Sequence, residues 1–282
     1  MLLAIEEAMM SLREGNCGFG AVIAKNNELI AKAHDTEKTN WDSTAHAEMT
    51  VIRSASSKLG RDLSGCVMIA THEPCPMCAT AIIWSGITEI AFGYSIKDAI
   101  KQGRKRIDLS CKELFKRAGK KICVKEALLH DQCSVLYNKE VRDSVDQLRD
   151  ADKQKLEALA EDLLMRRLRW YAEHGHCLAT DGQDILHVAY RVFLQKLGIS
   201  EDQAPIVRCD EKHLILHSSN YCPTLEACNL LALDTRFVCK YSTEKPTTDL
   251  IRQIHPKLRF RRNYKHIRPH SDYCEEMIIL ED

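Results

Sequence analysis

The sequence predicts a three-layer α/β domain followed by a second, smaller α/β unit, and three observations carry that expectation. In the first half, short apolar strands alternate with helical stretches. From about Val141 to Ala172 the chain is almost free of Gly and Pro and rich in Leu, Ala and charged residues. Beyond about residue 176 a second compositional unit begins. Strands joined through helices build one sheet covered on both faces. The expected division is therefore 1–140, a helical linker over 141–175, and a C-terminal α/β domain over 176–282 that is open to a ligand-binding role.

Leu2, Ile5, Met9 and Leu12 recur at helical spacing and predict an amphipathic first helix. Glu6 and Glu7 interrupt its apolar run and no basic region precedes it, so it reads as part of the fold rather than a signal peptide. Phe19–Lys25 and Glu28–His34 read as strands joined by a two-residue Asn26-Asn27 turn. A helix over Ala45–Leu59 follows, with a cap from Asp42, Ser43 or Thr44 and Gly60 just past its end. Cys66–Thr71 is a strand, Pro76–Ser85 a helix and Thr88–Tyr94 a strand. Around Gly103–Arg106 the pattern turns polar, before a helix at Cys111–Ala118 and a strand at Lys121–Lys125. Leu148, Leu156, Leu159, Leu163 and Leu168 form an apolar stripe along one long helix. It would link two domains or form a dimer contact, with ordinary core packing the plainer reading. The last third reads as helix (Asp184–Leu197), strand (His213–His217), helix (Pro223–Ala232), strand (Arg236–Tyr241) and a basic stretch.

Forty basic residues balance forty acidic ones in a chain of 282, so net charge gives no reason to expect a nucleic-acid or membrane partner. No apolar run approaches the roughly 20 residues of a membrane span. The thirteen cysteines are odd in number and scattered, which points to a reducing, cytoplasmic setting.

Two short motifs carry chemistry: His46-Ala47-Glu48 and Pro74-Cys75-Pro76-Met77-Cys78. Together they match the established H-x-E and P-C-x-x-C signature of zinc deaminases. An imidazole and two thiolates suit Zn2+ and leave a fourth tetrahedral position open, whereas a closed structural site would want another Cys or His. Cys75 and Cys78 are three apart and face the same way on a first helical turn, where Pro76 is tolerated. The helix N-terminus favours thiolate there. His46 and Glu48 would diverge in mid-helix and converge only if the metal lies off the helix end. A bound zinc would supply an activated water. Glu48 would take its proton and pass it to a ring nitrogen and then to the leaving amine, giving ammonia and a carbonyl. A structural zinc site, or two unrelated motifs, is the alternative; the double match, each half entering a predicted helix, weighs against it.

Residues 1 to about 140 resemble the cytidine deaminase superfamily, in the branch holding guanine deaminases and tRNA adenosine deaminases. Gly18-Phe19-Gly20-Ala21-Val22-Ile23, Thr44-Ala45-His46-Ala47-Glu48, Glu73-Pro74-Cys75-Pro76-Met77-Cys78 and the run from Ala81 to Ile87 carry the likeness. The resemblance implies a mixed five-stranded sheet between helices, a zinc site at two helix N-termini, and a homodimer. Cys-Pro-Met-Cys followed by Trp84 looks more like the guanine-type enzymes. Phe19 and Trp84 would sandwich a planar base, although both positions also suit core residues; Ala47 joins them as a substrate contact. Asp35 falls where relatives usually carry an asparagine that meets the base. An ionised aspartate only accepts hydrogen bonds, so the substrate would present N–H donors there, as an amino-substituted purine, triazine or pterin-like ring does. The plainer reading has Asp35 capping a turn. Glu73, just before the ligands, would fix the loop that carries them.

The segment around Asn220-Tyr221-Cys222-Pro223, Glu226-Ala227-Cys228 and Cys239 is similar to small α/β ligand-binding domains, among them aminothiazoline-carboxylate hydrolases and vinyl-reductase-type sensors. Cys209, Cys222, Cys228, Cys239 and Cys274, with His213 or His217, would be a second metal site or, more simply, buried thiols. Arg252–Arg268 interleaves seven basic residues with Phe260 and Tyr264, which suits single-stranded RNA and equally an anionic small ligand. The plainer reading is a strand with Leu258 and Phe260 inward. Three functions compete. The first is deamination of a small aminated heterocycle such as a nucleobase or nucleoside, with a guanine-like purine favoured. The second is tRNA adenosine-to-inosine deamination, with the C-terminal domain gripping RNA. The third is a sensor that has lost activity, against which Glu48 and three intact ligands argue. Neutral net charge argues against nucleic acid, and the first reading leads.

Overall fold

Ala4, Ala8 and Leu12 recur at helical spacing and are fully buried in the computed structural model, which describes residues 1–175 and 184–282. They form the inner face of helix α1 (Leu2–Arg13). Small side chains face inward because the sheet comes so close. A Cβ on Gly20 would lie 2.0 Å from the Ala4 carbonyl oxygen. The inner stripe is thus turned from the one expected, and Leu2 is exposed.

Strands β1 (Gly20–Lys25) and β2 (Glu28–His34) pair antiparallel. Asn26 and Asn27 between them both have positive φ, 51° and 64°, as a type I′ hairpin turn requires. After a short helix, α2 (Glu37–Asn40), come α3 (Ala47–Leu59), β3 (Cys66–His72), α4 (Pro76–Trp84) and β4 (Glu89–Tyr94). Helices α5 (Ile96–Lys101) and α6 (Cys111–Arg117) lead to β5 (Cys123–Lys125), and α7 (His130–Tyr137) and α8 (Lys139–Leu148) follow. The five strands form one mixed sheet in the order β2-β1-β3-β4-β5, with β3, β4 and β5 parallel. Val51, Ala55, Ile82 and Phe115 from α3, α4 and α6 share a core with Ala21, Ile23, Met68 and Ile90 of the sheet. Helices α1 and α7 touch each other and pack on β1 and β4 respectively, with Leu136 and Tyr137 buried. These are the three expected layers.

Contacts divide the chain into two units, Met1–Arg149 and Asp150–Asp282. The stretch expected as one helix is two: α8 ends the first unit, and α9 (Lys153–His174) opens the second. Arg149 is extended, Asp150 has φ 55°, and the Asp152 side chain accepts from the Lys155 N–H to start α9. An aspartate placed to cap overrides a continuous apolar stripe. The second unit continues with α10 (Ile185–Leu197), a 3₁₀ turn at Glu201–Gln203, β6 (Ile206–Cys209) and β7 (His213–Ser218). Helices α11 (Pro223–Leu231), α12 (Thr235–Ser242) and α13 (Glu244–Ile251) precede β8 (Leu258–Arg262) and β9 (Cys274–Leu280). Its strands form an antiparallel sheet of four in the order β6-β7-β9-β8. Phe193, Leu214, Leu216, Phe260 and Ile278 lie in its core.

Arg236–Tyr241, expected as a strand, lies within helix α12. The Asp234 side chain caps it by accepting from the Arg236 N–H, and Thr235, Val238 and Ser242 are buried at helical spacing. The basic stretch is the inward-facing strand of the plainer reading, with Leu258 and Phe260 fully buried.

Candidate active site

The cap geometry of two helices brings the two motifs together. His46 is the N-cap of α3 and is extended (φ −67°, ψ 154°), so its imidazole leaves the helix axis while Glu48 enters the first turn. Asp42 does not cap this helix. Its Oδ1 accepts from the Thr44 N–H and hydroxyl, at 2.8 and 2.7 Å, and shapes the preceding turn. Cys75 is likewise the extended N-cap of α4 (φ −65°, ψ 168°), with Pro76 as the first helical residue. His46 Nδ1 lies 3.6 Å from Cys75 Sγ and 3.5 Å from Cys78 Sγ, and the two sulfurs are 3.6 Å apart. With zinc–sulfur bonds near 2.3 Å and zinc–nitrogen bonds near 2.0 Å, three donors at these separations fit one face of a tetrahedron.

The electrostatics fit the same ion. A hydrogen bond with Cys78, reinforced by His46, draws the Cys75 thiol down to about 4. The hydrogen bond with Cys75 raises His46 to about 9. The Cys78 thiol, bonded to Cys75 and buried, is pushed up. A thiol drawn down and an imidazole drawn up beside it share a proton that a divalent cation would displace on binding. Glu48 is 6% exposed, and burial, followed by the charge on Cys75, raises its carboxyl to about 7.

His46, Glu48 and Cys75 open onto a cavity of about 240 Å³ that Phe19 also lines. Phe19 is held by stacking on Tyr137 at 5.4 Å, whose hydroxyl donates to Thr71 Oγ1 at 2.7 Å. His72, edge-on to Phe19, is lowered to about 4 by burial, so its ring is neutral. Glu73 fixes the loop: its two oxygens accept from the Ile96 and Cys111 N–H groups, each at 2.9 Å.

The other expected contacts fall into three places. Ala47 is fully buried, and as the first residue of α3 its N–H has no partner within the helix. Asp35 is also fully buried. Its Oδ1 accepts from the Cys17 N–H at 3.2 Å, and its Oδ2 has no hydrogen-bond partner. Asp35 itself does not line the cavity, but a carboxylate oxygen lies within 4.8 Å of the Cys17 sulfur and a Glu37 oxygen, and both of those residues do. Trp84 is not brought to the site. It is 72% exposed at the end of α4, whose buried face is Cys78, Ala79 and Ile82, and the helical period turns it away.

Three arginines outside both motifs also line the cavity: Arg104, Arg106 and Arg142. The polar stretch Gly103–Arg106 was the only hint of the first two, and Arg142 comes from α8. In the second unit, Asp184, His187 and Cys209 approach one another at a partly exposed position. Among the described residues no convergent group of metal ligands includes Cys222, Cys228, Cys239 or Cys274. The basic stretch is largely neutralised: Arg259 pairs with Glu281, Arg261 with Glu244 and Arg262 with Glu276.

Residues 1–94 match the family described as the cytidine and deoxycytidylate deaminase zinc-binding region. Over 91 residues the chain is 44% identical to the tRNA-specific adenosine deaminase of Bacillus subtilis, which covers 32% of this chain and 56% of that protein. Over 86 residues it is 41% identical to the guanine deaminase of the same organism, covering 30% and 55%. Over 141 residues it is 34% identical to the tRNA-specific adenosine deaminase of Buchnera aphidicola subsp. Baizongia pistaciae, covering 49% of this chain and 83% of that protein. The chain thus spans little more than half the length of the two Bacillus relatives.

Proposed function

The chain belongs to the cytidine deaminase-like family of zinc-binding deaminases, and from that premise we propose that it hydrolytically deaminates a nucleobase, nucleoside or related aminated heterocycle. A guanine-like purine is the favoured ring. The observation that carries this reading is the convergence of His46, Cys75 and Cys78 at the wall of a cavity that also exposes Glu48.

Zinc, held by His46, Cys75 and Cys78, would supply Lewis acidity and an activated water. Glu48 moves the protons. Raised to about 7 by burial, its carboxyl is suited to accept a proton and give it up again near neutral pH. It takes one from the attacking water, gives it to the ring nitrogen beside the reacting carbon, and serves the departing amine in the same way. The ring rests against Phe19, which Tyr137 holds in place. The Asp35 Oδ2, an acceptor without a partner, lies behind Cys17 and Glu37 of the cavity wall, and a ring that displaces them would present it an N–H. A homodimer is the expected assembly. Among the described residues no helix is long and apolar enough to cross a membrane.

Deamination of adenosine in tRNA is the second reading, favoured by what two of the relatives are named for. Purified, zinc-loaded protein incubated with bases, nucleosides, pterins and unmodified tRNA separates the two. Ammonia and product mass are followed. Ammonia from a free heterocycle supports the first reading, and inosine formed only in tRNA supports the second. Ammonia from no substrate at all contradicts both.

A further inference from the structure

Three guanidinium groups line the candidate active-site cavity, and among the described residues none lies within 4.0 Å of a carboxylate oxygen. Two are anchored by backbone instead. Arg104 Nε and Nη2 donate to the Tyr137 carbonyl at 3.2 and 2.9 Å, and Arg142 Nη1 donates to the Cys17 carbonyl at 3.1 Å. Carbonyl oxygens orient a guanidinium without cancelling its charge. Arg106 lies over the face of Phe19, 5.6 Å from the ring centroid, and its one other bond is to the neighbouring Lys105 carbonyl.

The carboxylates of the same cavity are committed elsewhere. Glu73 is taken by two backbone N–H groups, Glu37 approaches His46, and Glu48 stands beside the ligand cysteines. Burial and the neighbouring Arg106 lower Arg104, and burial and Arg104 lower Arg142, so the three charges feel one another. Like charges crowded on a half-buried wall repel one another, and a bound anion relieves that repulsion. Planar forks in this number suit the several oxygens of a phosphate.

We propose that Arg104, Arg106 and Arg142 bind a phosphate ester carried by the substrate, so that the site takes a phosphorylated nucleoside in preference to a free base. This rests on the deaminase reading for what the ring undergoes, though not for the binding itself. A terminal phosphate on a mononucleotide and a bridging phosphate in RNA present the same chemistry.

The test has two arms on the zinc-loaded full chain. In the first, kcat/KM is measured for matched base, nucleoside, nucleoside 5′-monophosphate and tRNA, in wild type and in Arg106→Gln. Arg106 is chosen because its side chain anchors no other segment. A phosphorylated member is expected to exceed its nucleoside by about tenfold or more, and Arg106→Gln to shrink that ratio about tenfold, chiefly through KM. An advantage in the mononucleotide identifies a terminal phosphate, and one confined to tRNA a bridging phosphate. Equal efficiency for the nucleoside and for both phosphorylated members, mononucleotide and tRNA, or an unmoved ratio in Arg106→Gln, overturns the proposal. In the second arm, calorimetry compares nucleoside, 5′-monophosphate and tRNA binding to the Glu48→Gln protein, with inorganic phosphate as competitor. A phosphate preference that weakens in added salt supports the arginine site even if nothing is deaminated, in which case the deaminase reading alone fails. No preference for phosphate there overturns the arginine site.

Discussion

Asp35, buried behind Cys17 and Glu37 of the cavity wall, is proposed to set the hydrogen-bonding pattern that the substrate must match. Its Oδ1 is used by the Cys17 N–H, whereas Oδ2 is buried and free to accept. Burial, the leading cause, raises its carboxyl above the ordinary value of 3.8. Asp35→Asn keeps the shape and exchanges acceptor for donor on one side. The expected outcome is a changed order of preference among amino-substituted and oxo-substituted rings, with kcat/KM for the best substrate down roughly tenfold or more, read from steady-state rates on a panel. An unchanged order would reduce Asp35 to an anchor for the Cys17 backbone. At this scale the convergence of His46, Cys75 and Cys78 was legible in the sequence, because each half of it is local: His46 and Glu48 straddle one helix start, and Cys75 and Cys78 another. Arg104 and Arg142 were not, since they meet only through the packing of α8 on the same unit. Trp84 was misread because a motif fixes spacing along the chain, while the helical period decides direction.

Elements are joined in this fold by small polar clusters as well as by the core. Helix α1 is tied to β2 by Glu7, which bonds His34 Nδ1 at 2.8 Å and Lys32 Nζ at 3.0 Å, and His34 Nε2 reaches Glu14 at 3.0 Å. Burial pulls His34 downward, but the bonds to Glu7 and Glu14 outweigh it and hold the imidazole above its ordinary 6.5. Burial likewise opposes ionisation of Glu7, yet its bonds to His34 and Lys32 carry it below 4.5. The raised histidine contributes stability that is complete below pH 6.5 and lost as pH rises through its folded value. The lowered glutamate contributes stability that is complete above pH 4.5 and lost as pH falls through its own. Both are whole between these limits. Thermal unfolding from pH 5 to 9 is therefore expected to show a decline in Tm above neutrality that is smaller in His34→Gln. Parallel profiles would contradict this linkage. Most elements of the first unit were legible because apolar strands and capped helices alternate there. Arg236–Tyr241 was not. Phe237, Val238 and Tyr241 also suit a strand, and the Asp234 cap with the buried Thr235, Val238 and Ser242 makes it a helix.

For the whole molecule, zinc is expected to be structural as well as chemical, because its ligands come from the starts of two different helices, α3 and α4. About one equivalent per chain is expected by elemental analysis. Excess zinc at about 100 times its Kd would raise the unfolding midpoint by about 5–10 °C over chelated protein. A midpoint indifferent to chelator would contradict that role. The two-unit organisation was legible from composition, but its boundary was not, because capping at Asp152 and the left-handed Asp150 divide a stripe that reads as continuous. The central claim, hydrolytic deamination with Glu48 as proton carrier, is tested most directly by product mass in ¹⁸O-labelled water. Wild-type, zinc-loaded protein is expected to put one labelled oxygen into the product for each ammonia released, and Glu48→Gln, with zinc still bound, to run about 10²–10⁴ times slower. Unlabelled product, or a Glu48→Gln protein that works at the wild-type rate, would contradict it.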